Sequence, residues 1–265
     1  MSQSLITSRD NPVFKRVKKL ADSARTRRDA RMTLLDSAHL IEAYLDAGGQ
    51  PHTLLRAASC PTERVSGLAA RCLAAKNLVL PDALFAELTP VATPTGVLAE
   101  AAWLAPSAIN STPLVIVLEQ IQDPGNMGAM LRTGAAAGAT LAVLSANCHD
   151  AWSPKALRGG QGAQFVLPMQ LDVDLPNWLN GFAGASVALT LDETSGTVQN
   201  FYRMDFTGPI AFIVGNEGAG ISAPVMQAAR TRARIPMPGK VESLNAAAAL
   251  AVATFEAVRQ RAAQA

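Results

Sequence analysis

Between Leu114 and Met237 the chain repeatedly sets a short apolar run before a loop of Gly, Pro, Asn or Asp. Leu114–Leu118, Thr140–Ser145 and Pro209–Val214 are such runs, as is Ser186–Leu191, which leads into Asp192-Glu-Thr-Ser195. Runs without polar alternation read as strands buried on both faces. Gln164–Met169 and Arg234–Met237 are weaker strand candidates. Helical spacing lies between them, over Ala129–Ala137, Leu175–Phe182 and Ala223–Arg230, with a last long helix over Ser243–Ala263. Alternation of this kind predicts an α/β fold, and such sheets hold ligands in the loops at the carboxyl ends of their strands.

Three of those loops are unusual in composition. The last, Ile235-Pro-Met-Pro-Gly-Lys-Val-Glu-Ser-Leu-Asn245, has prolines that fix φ and a glycine that frees it, followed by Glu242, Ser243 and Asn245. The first, Glu119–Gly128, places Asn126 at a loop-to-helix corner with Arg132 on the helix that follows. That pair reads either as a phosphate site or as a helix cap beside a solvated arginine. The third, Gly215-Asn-Glu-Gly-Ala-Gly220, follows a late strand with the spacing G-x-x-G-x-G. A dinucleotide fingerprint needs G-x-G-x-x-G after the first strand, so a nicotinamide-dependent dehydrogenase is excluded. Gly239-Lys240 is followed by Val241, so there is no P-loop either.

The first 105 residues read as a smaller α/β domain. An amphipathic helix follows Pro12, with Val13, Phe14, Val17 and Leu20 on one face and Lys15, Arg16, Lys18 and Lys19 interleaved. Strands are expected at Met32–Leu35, His52–Ala57 and Leu78–Leu80, and helices at Ala38–Ala47 and Thr62–Ala75. A proline-rich stretch from Pro81 through Pro90 and Pro94 to Pro113 follows, in which residues 106–112 read as a linker. Residues 1–31 carry nine Lys or Arg against three Asp, a local +6, while the rest of the chain sums to −4. A basic leading end on a mildly acidic body points to a polyanion partner, with Arg9, Lys15, Arg27 and Arg28 as phosphate contacts. Lys155 and Arg158, three apart on a short helix, extend that basic surface or form a solvated face. No aromatic ladder accompanies these cations, which favours phosphate contact over base stacking. Three cysteines without metal or disulfide spacing, three unclustered histidines and no long apolar run predict a cytoplasmic protein with no metal and no membrane segment.

Taken in order, Asp123–Arg132, Ile213–Gly220 and Ile235–Asn245 resemble the three motifs of the SpoU/TrmH family of RNA ribose 2′-O-methyltransferases, in the SPOUT superfamily. The resemblance implies a parallel sheet over residues 113–265 with helices on both faces and a deep trefoil knot. Residues 1–105 are similar to the family's RNA substrate-binding domain, itself like small ribosomal-protein folds. It implies S-adenosylmethionine held by Gly215, Ile235 and Leu244, with Thr190, Asn216 and Met237 nearby. The catalytic set implied is Arg132, Asn126, Ser243, Asn245 and Glu217. In it Arg132 clamps a phosphate and orients the 2′-OH, and Asn126 holds Arg132 or the ribose. Ser243 and Asn245 position the hydroxyl or the cofactor, and Glu217 orders the glycine loop or pairs across the dimer. The partners implied are ribosomal RNA, most of all 23S, and a second copy of the chain. That copy would be met by the stripe Leu244, Ala248, Val252, Phe255 and Val258 and by the first helix of this domain. The alternatives are a tRNA 2′-O-methyltransferase and a non-catalytic RNA-binding or ribosome-assembly factor on the same scaffold.

Overall fold

The computed structural model describes residues 4–73, 75–89, 94–191 and 197–264, apart from the side chain of Arg64. Pro90 and the continuation of the fourth run into Asp192–Ser195 lie outside the described residues. The chain forms two compact units, residues 1–105 with 150–166, and residues 106–149 with 167–265. The units are therefore not two contiguous stretches. Seventeen residues of what reads in sequence as the second domain pack with the first.

The first unit contains β1 (Ser4–Leu5), α1 (Pro12–Asp22), α2 (Ala24–Ala30), β2 (Met32–Leu35), α3 (Ala38–Asp46), β3 (Thr53–Ala57), α4 (Thr62–Arg71), β4 (Lys76–Leu80), α5 (Asp82–Leu88) and β5 (Val97–Ala102). The sheet order is β1-β4-β3-β5-β2, with β5 antiparallel to both its neighbours. Asn11 accepts from the Val13 N–H and Pro12 occupies the first helical position, which starts α1. Phe14, Val17 and Leu20 then face the core. The second basic run is the helix α2, and α5 and β5 arise from a stretch whose prolines mask its periodicity.

The second unit runs β6 (Leu114–Leu118), α6 (Pro124–Ala136), β7 (Leu141–Ser145), then, after the excursion containing α7 (Pro154–Gly160), β8 (Met169–Val173), α8 (Leu175–Gly181), β9 (Ala185–Leu189), β10 (Val198–Asn200), β11 (Ile210–Val214), α9 (Ala223–Ala228), β12 (Thr231–Arg234) and α10 (Ala246–Ala262). The seven strands are parallel in the order β10-β12-β9-β11-β6-β7-β8. Val115, Val117, Val143, Ala188, Ala211 and Ile213 meet Leu175 and Leu179 of α8 and Val225 and Met226 of α9. On the other face Gly134 of α6 lies against Ile116, and α10 packs on α6 and β11.

Several boundaries differ from those read in the sequence. Gln164 belongs to a 3-10 turn and the strand starts at Met169, because Pro168 gives the backbone no donor. β12 ends at Arg234, which puts Ile235 and Met237 in the loop. α6 begins at Pro124 and is capped by Asp123, whose carboxylate takes the Asn126 N–H at 2.7 Å, so Asn126 is inside the helix and is not its cap. α10 begins after Asn245, leaving Ser243 and Leu244 in the loop. Its buried face is Leu250, Ala253, Thr254 and Ala257. The stripe expected from spacing points elsewhere, with Phe255 49% and Leu244 40% exposed. No helix among the described residues is long and apolar enough to cross a membrane.

Candidate functional site

β12, β9, β11 and β6 are neighbours in the sheet and all run the same way, so their carboxyl ends form a row. Thr190 follows β9, Gly215 and Asn216 follow β11, and Ile235 follows β12. The Ile235–Asn245 loop leaves β12, and its last residue donates from Asn245 Nδ2 to Asn126 Oδ1 at 3.1 Å, at the start of α6. Since α6 follows β6, the loop passes the ends of β9 and β11, three strand spacings or about 14 Å. It carries Met237, Ser243 and Leu244 across that row. Asn245 also starts α10 by accepting from the N–H groups of Ala247 and Ala248.

The glycine loop is tightly determined. Asn216 and Gly220 exchange two backbone hydrogen bonds of 2.9 Å, and Asn216 Oδ1 accepts from the N–H groups of Gly218 and Ala219. A Cβ on Gly215 would sit 2.3 Å from the backbone carbon and oxygen of Gly220, so no side chain fits there. Gly220 takes φ +71°, in the region glycine enters without strain.

Glu217 joins that loop to the first one. Its carboxylate accepts from the Gln122 and Asp123 N–H groups at 3.2 Å each and from Asn126 Nδ2 at 3.0 Å. Burial pushes the Glu217 carboxyl up, but bonds from Asn126 and from the N–H groups of Glu217, Gln122 and Asp123 outweigh it and hold it below the usual glutamate value. Asn126 is thus shared between Glu217 and Asn245, and one residue from each of the three loops meets in a single chain of hydrogen bonds. That occupation corrects the expectation that Asn126 holds Arg132: its amide is used on both sides, and Arg132 lies six residues on, turned to another face of α6. Arg132 is exposed, and nothing among the described residues accepts a hydrogen bond from it. Ser243 is exposed in the loop. A cavity of about 680 Å³ lies at the outer edge of the sheet, lined by Val198, Gln199, Asn200, Arg234, Pro236, Met237 and Pro238, and it shares only Met237 with the residues expected from sequence.

Sequence reasoning passed over Glu119, Gln120, Gln122 and Ser222. Gln120 takes φ +52° and its carbonyl accepts from Asn216 Nδ2 at 2.9 Å. Glu119 is 4% exposed and its carboxylate accepts from Ser222. The available signal was an acid placed directly after an uninterrupted apolar strand.

All six cations expected to meet RNA lie in the first unit, since α7 brings Lys155 and Arg158 there. Arg27 is a correction. Its side chain is 6% exposed, its Nε donates to Asp150 at 2.6 Å, and its Nη1 donates to the carbonyls of Leu20 and Ala21. Those carbonyls end α1, so Arg27 caps a helix and neutralises a buried acid. Arg9 pairs with Glu87 and Lys15 with Asp10, both at the surface, where such pairs are weak and exchange readily for phosphate. Arg28 and Lys155 are exposed and Arg158 is half-buried. Among the described residues no group of three or more His, Cys, Asp or Glu is placed to hold a metal.

Residues 113–255 match the model of the SpoU rRNA Methylase family. An uncharacterized tRNA/rRNA methyltransferase of Synechocystis sp. is 35% identical, covering 97% of this chain and 94% of its own. The 23S rRNA (guanosine(2553)-2′-O)-methyltransferase RlmP of Bacillus subtilis is 29% identical over 94% of this chain and 97% of its own. Among solved structures, the AdoMet-bound rRNA methyltransferase from Sinorhizobium meliloti superposes with a TM-score of 0.81 at 26% identity, covering 97% of this chain and 98% of that one. The methyltransferase AviRb from Streptomyces viridochromogenes, in complex with AdoMet, gives 0.83 at 25% identity over 95% and 98%.

Proposed function

The chain belongs to the SpoU rRNA Methylase family, and on that premise we propose that it places a methyl group on a ribose 2′-OH of 23S ribosomal RNA at the row of strand ends described above. It is an S-adenosylmethionine-dependent RNA 2′-O-methyltransferase. The observation that carries the location is the hydrogen-bonded chain Glu217–Asn126–Asn245, which draws the three motif loops to one place.

The residues fit the cofactor. The ends of β9, β11 and β12 present Thr190, Gly215, Asn216 and Ile235 side by side, and Gly215 is packed so closely that the groups offered there are main-chain ones. Met237 and Leu244 on the crossing loop supply apolar contact. When bound, the cofactor supplies a sulfonium whose methyl is already electrophilic, so the protein's work is positioning. Arg132, exposed and without a partner among the described residues, clamps the phosphate next to the target ribose and turns the 2′-OH toward the methyl. A guanidinium is not deprotonated in proteins, which speaks against Arg132 as the base. Ser243 orients the hydroxyl, while Asn126, Glu217 and Asn245 hold the loops at a fixed separation.

The path of the chain supports a knot. β12 lies outside β9 while α10, next in sequence, packs back on α6 and β11, so the Ile235–Asn245 loop recrosses the sheet end. Exposed Leu244 and Phe255, with half-buried Val252, fit a homodimer contact. The first unit binds the RNA through exposed Arg28 and Lys155, together with Arg9, Lys15 and Arg158, in the cytoplasm.

The test is methyl transfer from labelled S-adenosylmethionine to 23S ribosomal RNA, with the product nucleosides identified by mass spectrometry. A 2′-O-methyl nucleoside is expected, and Arg132→Ala should abolish it. Cofactor uptake without any methylated ribose would instead favour an RNA-binding or assembly factor, and methylation of tRNA alone would move the substrate.

A further inference from the structure

Glu119 directly follows β6 and is bonded to both ends of the glycine loop. Its N–H donates to the carbonyl of Val214, the residue before Gly215, at 2.9 Å. Its carboxylate accepts from Ser222 just past the loop, with Oε2 taking the N–H at 2.9 Å and Oε1 taking the hydroxyl at 2.5 Å. The next residue, Gln120, holds the loop's interior through Asn216. A carboxylate that is 4% exposed is costly to keep unless its oxygens are satisfied, and here both are engaged by one residue.

We infer that Glu119 is a positioning residue for the cofactor, closing the Gly215–Ile221 loop by fastening Val214 and Ser222 to the one residue that follows β6. The inference rests on the proposal that this loop holds S-adenosylmethionine. Without the bond to Ser222 the loop's far end loses its tie to Glu119, while the bonds of Asn216 to Gln120 and of Glu217 to the first loop remain. Its internal Asn216–Gly220 bonds survive, but its main-chain groups are no longer pre-arranged against β9 and β12. Binding then includes the cost of ordering the loop, and affinity falls. The chemical role needs two hydrogen bonds in a fixed geometry rather than a charge. A glutamine meets it, with Oε1 accepting from the Ser222 N–H and Nε2 donating to its hydroxyl.

Calorimetric titration with S-adenosylmethionine is the experiment, on the full-length chain as wild type, Glu119→Leu, Glu119→Gln, Ser222→Ala and Gly215→Ala. Glu119→Leu removes both acceptors at a buried position and should weaken binding about tenfold. Glu119→Gln should stay within about threefold of wild type, which a role for the charge would not allow. In turnover the Leu variant should change KM for the cofactor more than kcat, and amide exchange at Gly218, Ala219 and Ser222 should quicken in it but not in the Gln variant. Gly215→Ala should lose binding whatever Glu119 does. Wild-type affinity in Glu119→Leu together with lost affinity in Gly215→Ala overturns the role of Glu119 and leaves the cofactor site standing. Wild-type affinity in both overturns the cofactor site as well. Should the Leu variant fail to fold, Ser222→Ala carries the test: several-fold weaker binding supports the inference and unchanged binding overturns it.

Discussion

Replacing Arg27 is a test of stability, not of RNA recognition. The guanidinium and the Asp150 carboxylate are each 6% exposed and 2.6 Å apart, and the same guanidinium supplies donors to Leu20 and Ala21 at the end of α1. Arg27→Ala leaves a buried carboxylate whose other oxygen accepts from the Trp152 N–H, plus two helix-terminal carbonyls without that donor. Breaking one side of such a pair costs about 3–5 kcal/mol. For a unit of 122 residues, each kcal/mol moves the thermal midpoint by roughly 3–5 °C, so its transition should fall on the order of 10–20 °C. The double variant Arg27→Met with Asp150→Leu removes both charges and keeps the volume. It should recover most of the loss and retain a deficit of about 1–2 kcal/mol for the missing helix cap. Scanning calorimetry reads the midpoint, and RNA binding across a salt series reads the phosphate contacts. The double variant should bind RNA with the wild-type salt slope. A slope smaller by about one in the folded double variant would mean that Arg27 touches phosphate after all, and an Arg27→Ala cost below about 1 kcal/mol would refute the buried pair.

Lys155→Ala, exposed on α7, should lower that slope by about one phosphate and weaken all RNA sequences alike, as read by filter binding at several salt concentrations. Arg132→Ala should stop methyl transfer while calorimetry still registers the cofactor; retained turnover removes Arg132 from the site. Glu217 is held below its ordinary value of 4.5, so its protonation favours the form without the loop network. Its contribution is present above about 4.5 and is lost as pH falls through the lower folded-state value, and cofactor affinity should drop over that window in wild type but less in Glu217→Gln. Phe255→Asp, at a position 49% exposed in one chain, should convert the proposed dimer into a monomer in sedimentation experiments without lowering the stability of the chain by more than about 1 kcal/mol; an unchanged sedimentation coefficient removes the stripe from the contact.

The strands of the second unit were legible because each is buried on both faces, and burial leaves a continuous apolar run: Leu114–Leu118 and Ile210–Val214 are buried at every position. The edge strands were not. β10, three residues of Val-Gln-Asn, has no periodicity to read, and β8 alternates partly exposed with exposed residues. The last helix misled for a related reason. Alanine dominates it, so spacing alone offers several stripes, and the chain buries Leu250, Ala253 and Ala257 while leaving Phe255 outward. Spacing finds an apolar face but does not say which partner covers it.

The site divides along another line, between residues named by type and residues named by position. Asn126, Glu217 and Asn245 are recognisable as motif members, and the structure brings all three within one chain of hydrogen bonds. Arg27 stood in a run of identical cations, and nothing in the run distinguishes it from Arg28. What separates them is Asp150, 123 residues away, which reaches Arg27 because Asp150–Val166 packs in the first unit. Counting charge along a sequence treats each cation as available, yet at least six of the nine in residues 1–31 face an acid in the folded chain, three of them an acid outside that run. The polyanion reading therefore keeps its sign and loses part of its strength. The exposed pairs at Arg9 and Lys15 open to a phosphate at little cost, whereas the buried pair at Arg27 does not, so the proposed RNA contact has fewer cations to draw on than the sequence charge implies.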